Sequence, residues 1–514
     1  MDAIVAARTG NAADFFVDRH VREGRGGKPA FIDDTASLTY GDLLAATQRF
    51  AAGLQAAGIA RDTRIALILL DTVDLPICFW GAIRAGVVPI PINTLLPAEL
   101  TNYILSDSRA ELLVISESLL PALAPSLGAL PHLRRVIVAG AAERHTSLAD
   151  FMVEGAAPPV DSHADEVAFW LYSSGSTNAP KGVRHLHGSL RATVETYADQ
   201  VLKIRADDVV YSAAKMFFAY GLGNAMSFPM SVGATTILLP HRPTPAAVLA
   251  LMQAHQPSIF CGVPTLYAAM LQHPDIGPGA GSAKLRRCIS AGEALPEHIG
   301  LAWKKTVGTD ILDGIGSTEM LHIFLSNTDD ALKYGTSGIA VPGYELKVVD
   351  AAGNPVPDGE PGELVVKGAS AAEGYWNQRE KSRRTFVGEW TYTGDKYIRE
   401  PEGFYRYCGR TDDMFKVSGI WVSPFEVEGA LASHEKVLEA AVVGHEDSDG
   451  LVKPRAFVVL KNHADNADAL IPELQAFVKQ KIGPWKYPRW VEIVEELPKT
   501  ATGKIQRFKL RQRA

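Results

Sequence analysis

Short, wholly apolar runs recur through the first half of the chain, and a stretch with helical spacing separates each from the next. Residues 41–58 alternate small, apolar and polar side chains with helical period, and the run IALILL follows. A helical stretch near 75–86 leads to VVPIPIN, and AELTNYILSDSRAELLVISE repeats helix then strand. Residues 208–274 continue the theme through DVVYSAAK, ATTILLP, AAVLALMQAHQ and SIFCGVP. A strand without polar alternation must be covered on both faces, and crossover helices supply that cover in a parallel sheet. The expected fold class is therefore α/β.

At 514 residues the chain is too long for one hydrophobic core, so at least two domains are expected. The texture changes after about residue 340. There GYELKVVDAAGNPVPDGEPGELVVKG has short strands punctuated by Gly, Pro and Asp, which suggests a small antiparallel β unit. The polar, turn-rich YCGRTDDMFKVSG suits a hinge. Beyond it, FEVEGALASHEKVLEAAVVGHE and LIPELQAFVKQKIG read as helices, with RAFVVL and WVEIVEEL as strands. The expected domains are 1–411 and a small α+β unit over 412–514.

Several partner classes are excluded by composition. The formal net charge of −7 and the lack of a long basic block give no footprint for nucleic acid. The most apolar stretch is interrupted by Asp71 and Asp74, so it reads as buried strand and helix rather than a membrane span. The first twenty residues lack the basic flank and apolar core of a secretory signal. Cys78, Cys261, Cys288 and Cys408 are far apart and lack metal-ligand spacing, which fits a reducing compartment. The expectation is a cytoplasmic protein that binds neither nucleic acid nor membrane.

The strand-like AFWLY ends in SSGSTNAPKG, residues 173–182. Small residues let successive backbone N–H groups converge on an anion. Hydroxyls from Ser174, Ser176 and Thr177 and the ammonium of Lys181 would add to that cradle, which starts at Ser173 and includes Gly175. The common nucleotide loop requires Ser or Thr after its lysine, whereas Gly182 follows Lys181 here. By themselves these residues suit either a polyphosphate cradle or a plain surface turn.

Together with SAGEALP at 290–296, DGIGSTEM at 313–320, GELVVKG at 362–368, YTGDKY at 392–397, YCGRTDDMFKVSG at 407–419 and LPKTATGKIQ at 497–506, this loop resembles the adenylate-forming enzymes. That group holds acyl-CoA synthetases, free-standing adenylation domains and beetle luciferases. The resemblance spans nearly the whole chain. It implies a large N-terminal domain of α/β subdomains plus a small β-barrel-like part, then a small mobile α+β C-terminal domain. It also implies a reaction in which ATP and a carboxylate give an acyl-AMP, which a thiol then attacks.

Residue roles follow from the resemblance. The loop 173–182 would hold pyrophosphate. Glu319 would bind Mg2+, a hard cation suited to carboxylate oxygen, and Thr318 would contact the α-phosphate. Without the motif, Glu319 would read as an acid at a helix start. Lys504 would bridge the attacking carboxylate and the α-phosphate. Asp395, assisted by Arg410, would accept hydrogen bonds from the ribose hydroxyls. Gly314, Ile315 and Gly316 would lie over the adenine, with Glu293 lining its side. Asp412 would be the hinge, although a neighbouring Asp413 makes an ordinary turn aspartate the alternative. Ser418 and Gly419 would close on the pantetheine arm. The family loop carries glycine where this chain has Asn178, the non-glycine residue type most tolerant of positive φ.

Three further segments, at 215–236, 261–271 and 314–327, resemble benzoate-CoA ligases and their ring-substituted relatives. In that group Ala219, Tyr220, Gly221, His322 and Ile323 would line an aryl pocket. Ordinary core packing is the alternative for Tyr220 and Ile323, and a structural histidine for His322. The expectation is an AMP-forming aryl-acid:CoA ligase, monomeric or homodimeric, using ATP, Mg2+ and coenzyme A with a small aromatic carboxylic acid. Benzoate is favoured, with 2-aminobenzoate or a hydroxybenzoate as alternatives. A stand-alone adenylation enzyme loading a separate carrier protein, a luciferase-like oxygenase and a catalytically dead nucleotide-binding scaffold are the competing classes. The sequence ends ten residues after Lys504, so no fused carrier domain is expected.

Overall fold

The alternating pattern of the first half folds, in a computed structural model of the chain, into one parallel sheet and the parallel centre of a second, mixed sheet. The structure describes residues 10–173, 179–410, 413–417, 420–447, 451–462, 467–499 and 505–513. In the first sheet the strands lie in the order Val88–Pro91, Arg64–Ile68, Leu112–Ser116, Arg135–Ala139 and Thr146–Ser147, all parallel. Alternate side chains enter different cores. Leu112 and Val114 join Phe50, Phe79 and Trp80, whereas Leu113 and Ile115 join Ile104 and Leu123. Helices Tyr40–Ala56 and Asp74–Arg84 supply the first cover and Ala98–Ser108 the second. Helix Tyr40–Ala56 starts where Thr39 and Asp42 exchange side-chain and backbone hydrogen bonds, which satisfies N–H groups that a helix start leaves open.

The second sheet has nine strands. Its parallel centre runs in space Ile311–Gly316, Arg287–Ser290, Ile259–Gly262, Val209–Ser212, Thr235–Ile237 and Pro29–Ile32. Antiparallel strands Ile323–Ser326 and Ile339–Ala340 flank one side, and Ser37–Thr39 the other. In the register Gly262 opposes Ser290, and Ser290 opposes Asp313. The segments leaving these strand ends therefore gather along one edge, where open α/β sheets place their ligands.

The β-rich part is an antiparallel sheet of Glu345–Val349, Pro361–Lys367 and Trp390–Arg399, with Phe386–Val387 and Tyr405–Arg410 both pairing onto Trp390–Arg399. A separate small sheet joins Val167–Ser173, Lys181–Leu186 and Gly374–Tyr375.

The last hundred or so residues hold a hairpin, Phe415–Val417 with Ile420–Val422, and a three-stranded sheet of Val437–Glu446, Val452–Leu460 and Trp490–Ile493. Helices Pro424–Ala432 and Ala467–Ile482 pack on it through Val427, Leu431, Leu474 and Val478. One sequence expectation is corrected here. FEVEGALASHEKVLEAAVVGHE is not helical throughout, because the helix stops at Ala432 and VLEAAVVGHE is a strand. Nine of its residues, from Val437 to Glu446, have cross-strand partners on Val452–Leu460. Tertiary pairing overrides the helix preference of Leu, Glu and Ala. Arg507 of the last helix reaches back to Glu428 with Nη2 at 2.6 and 2.9 Å from its carboxylate oxygens.

Candidate active site

Strands Val167–Ser173 and Lys181–Leu186 pair antiparallel on either side of the segment read as a phosphate cradle. Ser173 ends one strand and stands opposite Lys181, which begins the next. Lys181 Nζ donates to Glu319 Oε1 at 2.9 Å and to the Tyr375 hydroxyl at 2.7 Å. That hydroxyl in turn donates to Glu319 Oε1 at 2.8 Å. Three residues from distant parts of the chain thus close one ring of hydrogen bonds. Both charged side chains keep only 14% exposure. Burial alone would raise the Glu319 carboxyl, but the Lys181 ammonium and the Tyr375 hydroxyl outweigh it and hold the group below the ordinary carboxylate range. Glu319 is accordingly an anion at neutral pH.

Glu319 sits in the tight connection between strands Ile311–Gly316 and Ile323–Ser326. Ser317 Oγ accepts from Met320 N at 3.2 Å, and Leu321 takes φ +66° in the left-handed region. A buried branched residue rarely adopts that conformation, which marks the turn as held from outside. The holder is the segment before Tyr375. Ala372 N donates to Glu319 O at 2.8 Å, and Ser370 Oγ donates to Met320 O at 2.8 Å. Thr318 lies in this same connection, next to Glu319.

Gly314, Ile315 and Gly316 end the strand that precedes the turn. A Cβ on Gly316 would stand 2.5 Å from His322 O, and one on Gly314 would stand 2.8 Å from Leu325 O. Glycine is thus already required here by the close approach of the neighbouring strand. Asp313, just before them, is buried, with Oδ2 accepting from Leu295 N at 3.3 Å and Oδ1 without a partner among the described residues. Burial pushes its carboxyl up to about 8. Glu293 is half-buried in the turn that precedes helix Glu297–Val307. Asp395 and Arg410 face each other across paired strands, with Nη1 at 3.2 Å from Oδ1.

Among the residues read as lining an aryl pocket, the rings of Tyr220 and His322 lie against each other. Ala219, Tyr220 and Gly221 open the short helix Ala219–Leu222, and the Tyr220 hydroxyl reaches Gly262 O at 3.1 Å and Ile289 O at 3.2 Å. His322 Nε2 lies 3.3 Å from Tyr220 O, so it carries the proton and donates. The His322 ring packs between Phe228, Tyr197 and Tyr220, with centroids 4.4, 5.1 and 5.7 Å away. Burial lowers its pKa to about 3, which keeps it neutral. Nδ1 is then an acceptor, without a partner among the described residues. Gly223 makes this packing possible, since a Cβ there would stand 2.4 Å from His322 Cδ2. Ile323 is buried beside His322 and under Gly314.

The structure therefore brings Lys181 to Glu319 and the 219–221 segment to His322, and one short turn joins the two clusters. Ser174, Gly175, Ser176, Thr177, Asn178, Asp412, Ser418, Gly419 and Lys504 lie outside the described residues. The sequence reading passed over Tyr375 and Asp313. The segment GYW carries no spacing signal for the former, whereas Asp313 stood inside the quoted DGIGSTEM and offered a buried carboxylate to examine.

No group of three or more His, Cys, Asp or Glu among the described residues forms a ready metal cage. A lone anionic carboxylate such as that of Glu319 is a hard donor of the kind Mg2+ accepts when phosphates and water supply most of its ligands. No described helix is long and apolar enough to cross a membrane.

Residues 17–376 match the family model of AMP-binding enzymes, and residues 426–504 match that of the AMP-binding enzyme C-terminal domain. The chain is 54% identical to a 4-hydroxybenzoate–CoA/benzoate–CoA ligase of Rhodopseudomonas palustris, over 98% of this chain and 94% of that one. It is likewise 54% identical to a benzoate–CoA ligase of Thauera aromatica, over 98% of this chain and 95% of that one. The crystal structure of a benzoate CoA ligase from Burkholderia xenovorans superposes with a TM-score of 0.91 at 50% identity, covering 98% of this chain and 100% of that one.

Proposed function

Because the chain belongs to the family of AMP-binding enzymes, we propose that it is an aryl-acid:CoA ligase that activates benzoate with ATP and passes the acyl group to coenzyme A. The observation that carries this reading is the joining of two unlike clusters by one turn. Lys181, which begins strand Lys181–Leu186, is bonded to Glu319, and His322, three residues after Glu319, packs among aromatic rings.

In the first half-reaction a carboxylate oxygen bonds to the α-phosphorus of ATP and the bond to pyrophosphate breaks. Lys181 would leave Glu319 for the leaving phosphates and neutralise charge where it develops. Thr318 would donate to the α-phosphate, and Lys504 would bridge it and the attacking acid. Glu319 would hold Mg2+, which supplies charge neutralisation on the triphosphate. Asp395 and Arg410 would hold the ribose, and Gly314, Ile315, Gly316 and Glu293 would bound the adenine. In the second half-reaction the thiol sulfur bonds to the acyl carbon, the bond to AMP breaks, AMP leaves, and the thiol proton passes to solvent. The 412–514 domain, turning at Asp412, would bring Ser418 and Gly419 to the pantetheine arm.

The acid pocket offers Tyr220, Ile323 and a neutral histidine ring rather than a fixed charge, which suits a flat uncharged ring. A second reading, a hydroxybenzoate or 2-aminobenzoate, is favoured by His322 Nδ1, an acceptor that a ring hydroxyl or amino group would satisfy. All four cysteines are buried and free, in keeping with work in the reducing cytoplasm. In solution the enzyme would be a monomer or homodimer.

The test is incubation with ATP, Mg2+, CoA and single acids: benzoate, 2-aminobenzoate, the monohydroxybenzoates, phenylacetate and hexanoate. Mass spectrometry of the CoA esters, with initial rates, is expected to show the highest kcat/KM for benzoate. A higher value for a substituted benzoate would select the second reading. Adenylate without any CoA ester would move the acceptor to a carrier protein.

A further inference from the structure

Tyr375 stands at the centre of the phosphate end. It pairs with Val183 in the strand that Lys181 begins, so lysine and phenol are positioned by one small sheet. Its ring packs with Val183, Ala372 and Phe386, and its backbone N–H donates to Ser382 Oγ at 3.0 Å. Thr385 Oγ1 lies 3.3 Å from its hydroxyl. Lys181 and Tyr375 both contact Oε1 of Glu319, so Oε2 is the oxygen they leave for another ligand.

We propose that Tyr375 is a positioning residue that holds the Glu319 carboxylate in place for a divalent cation when Lys181 moves to the triphosphate. This rests on the reading of Glu319 as the Mg2+ ligand. The physical need is plain. A carboxylate at 14% exposure that loses its ammonium partner is left poorly solvated and free to turn. Lys181 cannot serve the phosphates and keep its bond to Oε1 with equal strength. The phenol has no such conflict, since nothing in the reaction calls it elsewhere. It donates to Oε1 throughout and aims Oε2 outward. Hydrogen bonds of this kind orient carboxylate ligands, and their loss typically lowers metal affinity by about 10- to 100-fold.

The experiment uses the full chain and Mn2+ as the probe cation, followed by electron paramagnetic resonance in the presence of a non-hydrolysable ATP analogue. Three proteins are compared: wild type, Tyr375→Phe and Glu319→Gln. The expected result is a Kd for Mn2+ raised about 10-fold in Tyr375→Phe. The affinity for metal-free AMP and the KM for benzoate should stay within about two-fold of wild type, a split that general loosening of the site would not give. Unchanged Mn2+ affinity in Tyr375→Phe, with Glu319→Gln impaired, overturns the role of Tyr375 and leaves the metal assignment standing. Unchanged affinity in Glu319→Gln overturns both. If Tyr375→Phe does not fold, Tyr375→His serves instead, because it keeps a ring and an N–H donor. It must then bind Mn2+ more tightly than Glu319→Gln, and equal weakness contradicts the proposal.

Discussion

At the end proposed to bind phosphate, an ammonium, a carboxylate and a phenol share one ring of hydrogen bonds, and both charged groups retain a little exposure. At the end proposed to bind the acid, Tyr220, Phe228 and Tyr197 pack around a histidine whose ring is kept neutral by burial. The first region holds an ion pair bridged by a phenol. The second holds a cluster of rings packed against one another. The contrast follows from what each must recognise. On the proposed reading the phosphates are the same for every acid, so charged groups would serve there. The acid would be distinguished by shape and by one or two polar atoms, so a ring-lined surface without fixed charge would serve there.

Four substitutions sharpen or break that contrast, in order of expected effect. Lys504→Ala removes the cation read as bridging acid and α-phosphate. It is expected to cut acyl-AMP formation by about two to four decades for every acid, measured by pyrophosphate exchange. Thiolysis of preformed acyl-AMP should suffer far less. Gly223→Ala adds a methyl group 2.4 Å from His322 Cδ2 and must shift that ring. The cost of overpacking corresponds to a loss of about 10- to 100-fold in kcat/KM for benzoate, with the apparent KM for ATP little changed.

Asp313→Asn acts through pH. The unfolded carboxyl titrates near its ordinary value of 3.8, and the folded one at about 8. Between those values the unfolded chain releases a proton that the folded chain keeps, so stability falls as pH rises through that window and levels off above it. The asparagine variant escapes this loss. Its Tm should exceed that of wild type by about 3–6 °C at pH 8, and the gap should narrow towards pH 5. Tyr220→Phe, the smallest change, leaves the Gly262 and Ile289 carbonyls without the phenol. It should lower Tm by about 2–4 °C while benzoate remains a substrate.

The two ends were not equally legible in the sequence. The α/β alternation is local, because a strand buried on both faces shows as an unbroken apolar run. Leu112–Ser116 is such a strand. The C-terminal strand Val437–Glu446 was misread because VLEAAVVGHE carries helix-forming residues, and its partner, Val452–Leu460, only becomes apparent once the chain has folded. Lys181 and Glu319 could be named from their motifs. Their third partner could not, since Tyr375 follows Lys181 by 194 residues and Glu319 by 56. A contact of that kind leaves no periodicity. Gly223 escaped notice for a similar reason, as its small size matters only against a ring brought from strand Ile323–Ser326.

The most direct test of the division between a charged end that serves every acid and a neutral wall that chooses among them is the ratio of kcat/KM for benzoate over 4-hydroxybenzoate, measured in wild type, Glu319→Gln and Gly223→Ala. The account expects Glu319→Gln to lower both values together and leave the ratio within about two-fold, and Gly223→Ala to change the ratio by about 10-fold. A ratio that moves in Glu319→Gln and stays fixed in Gly223→Ala would contradict it.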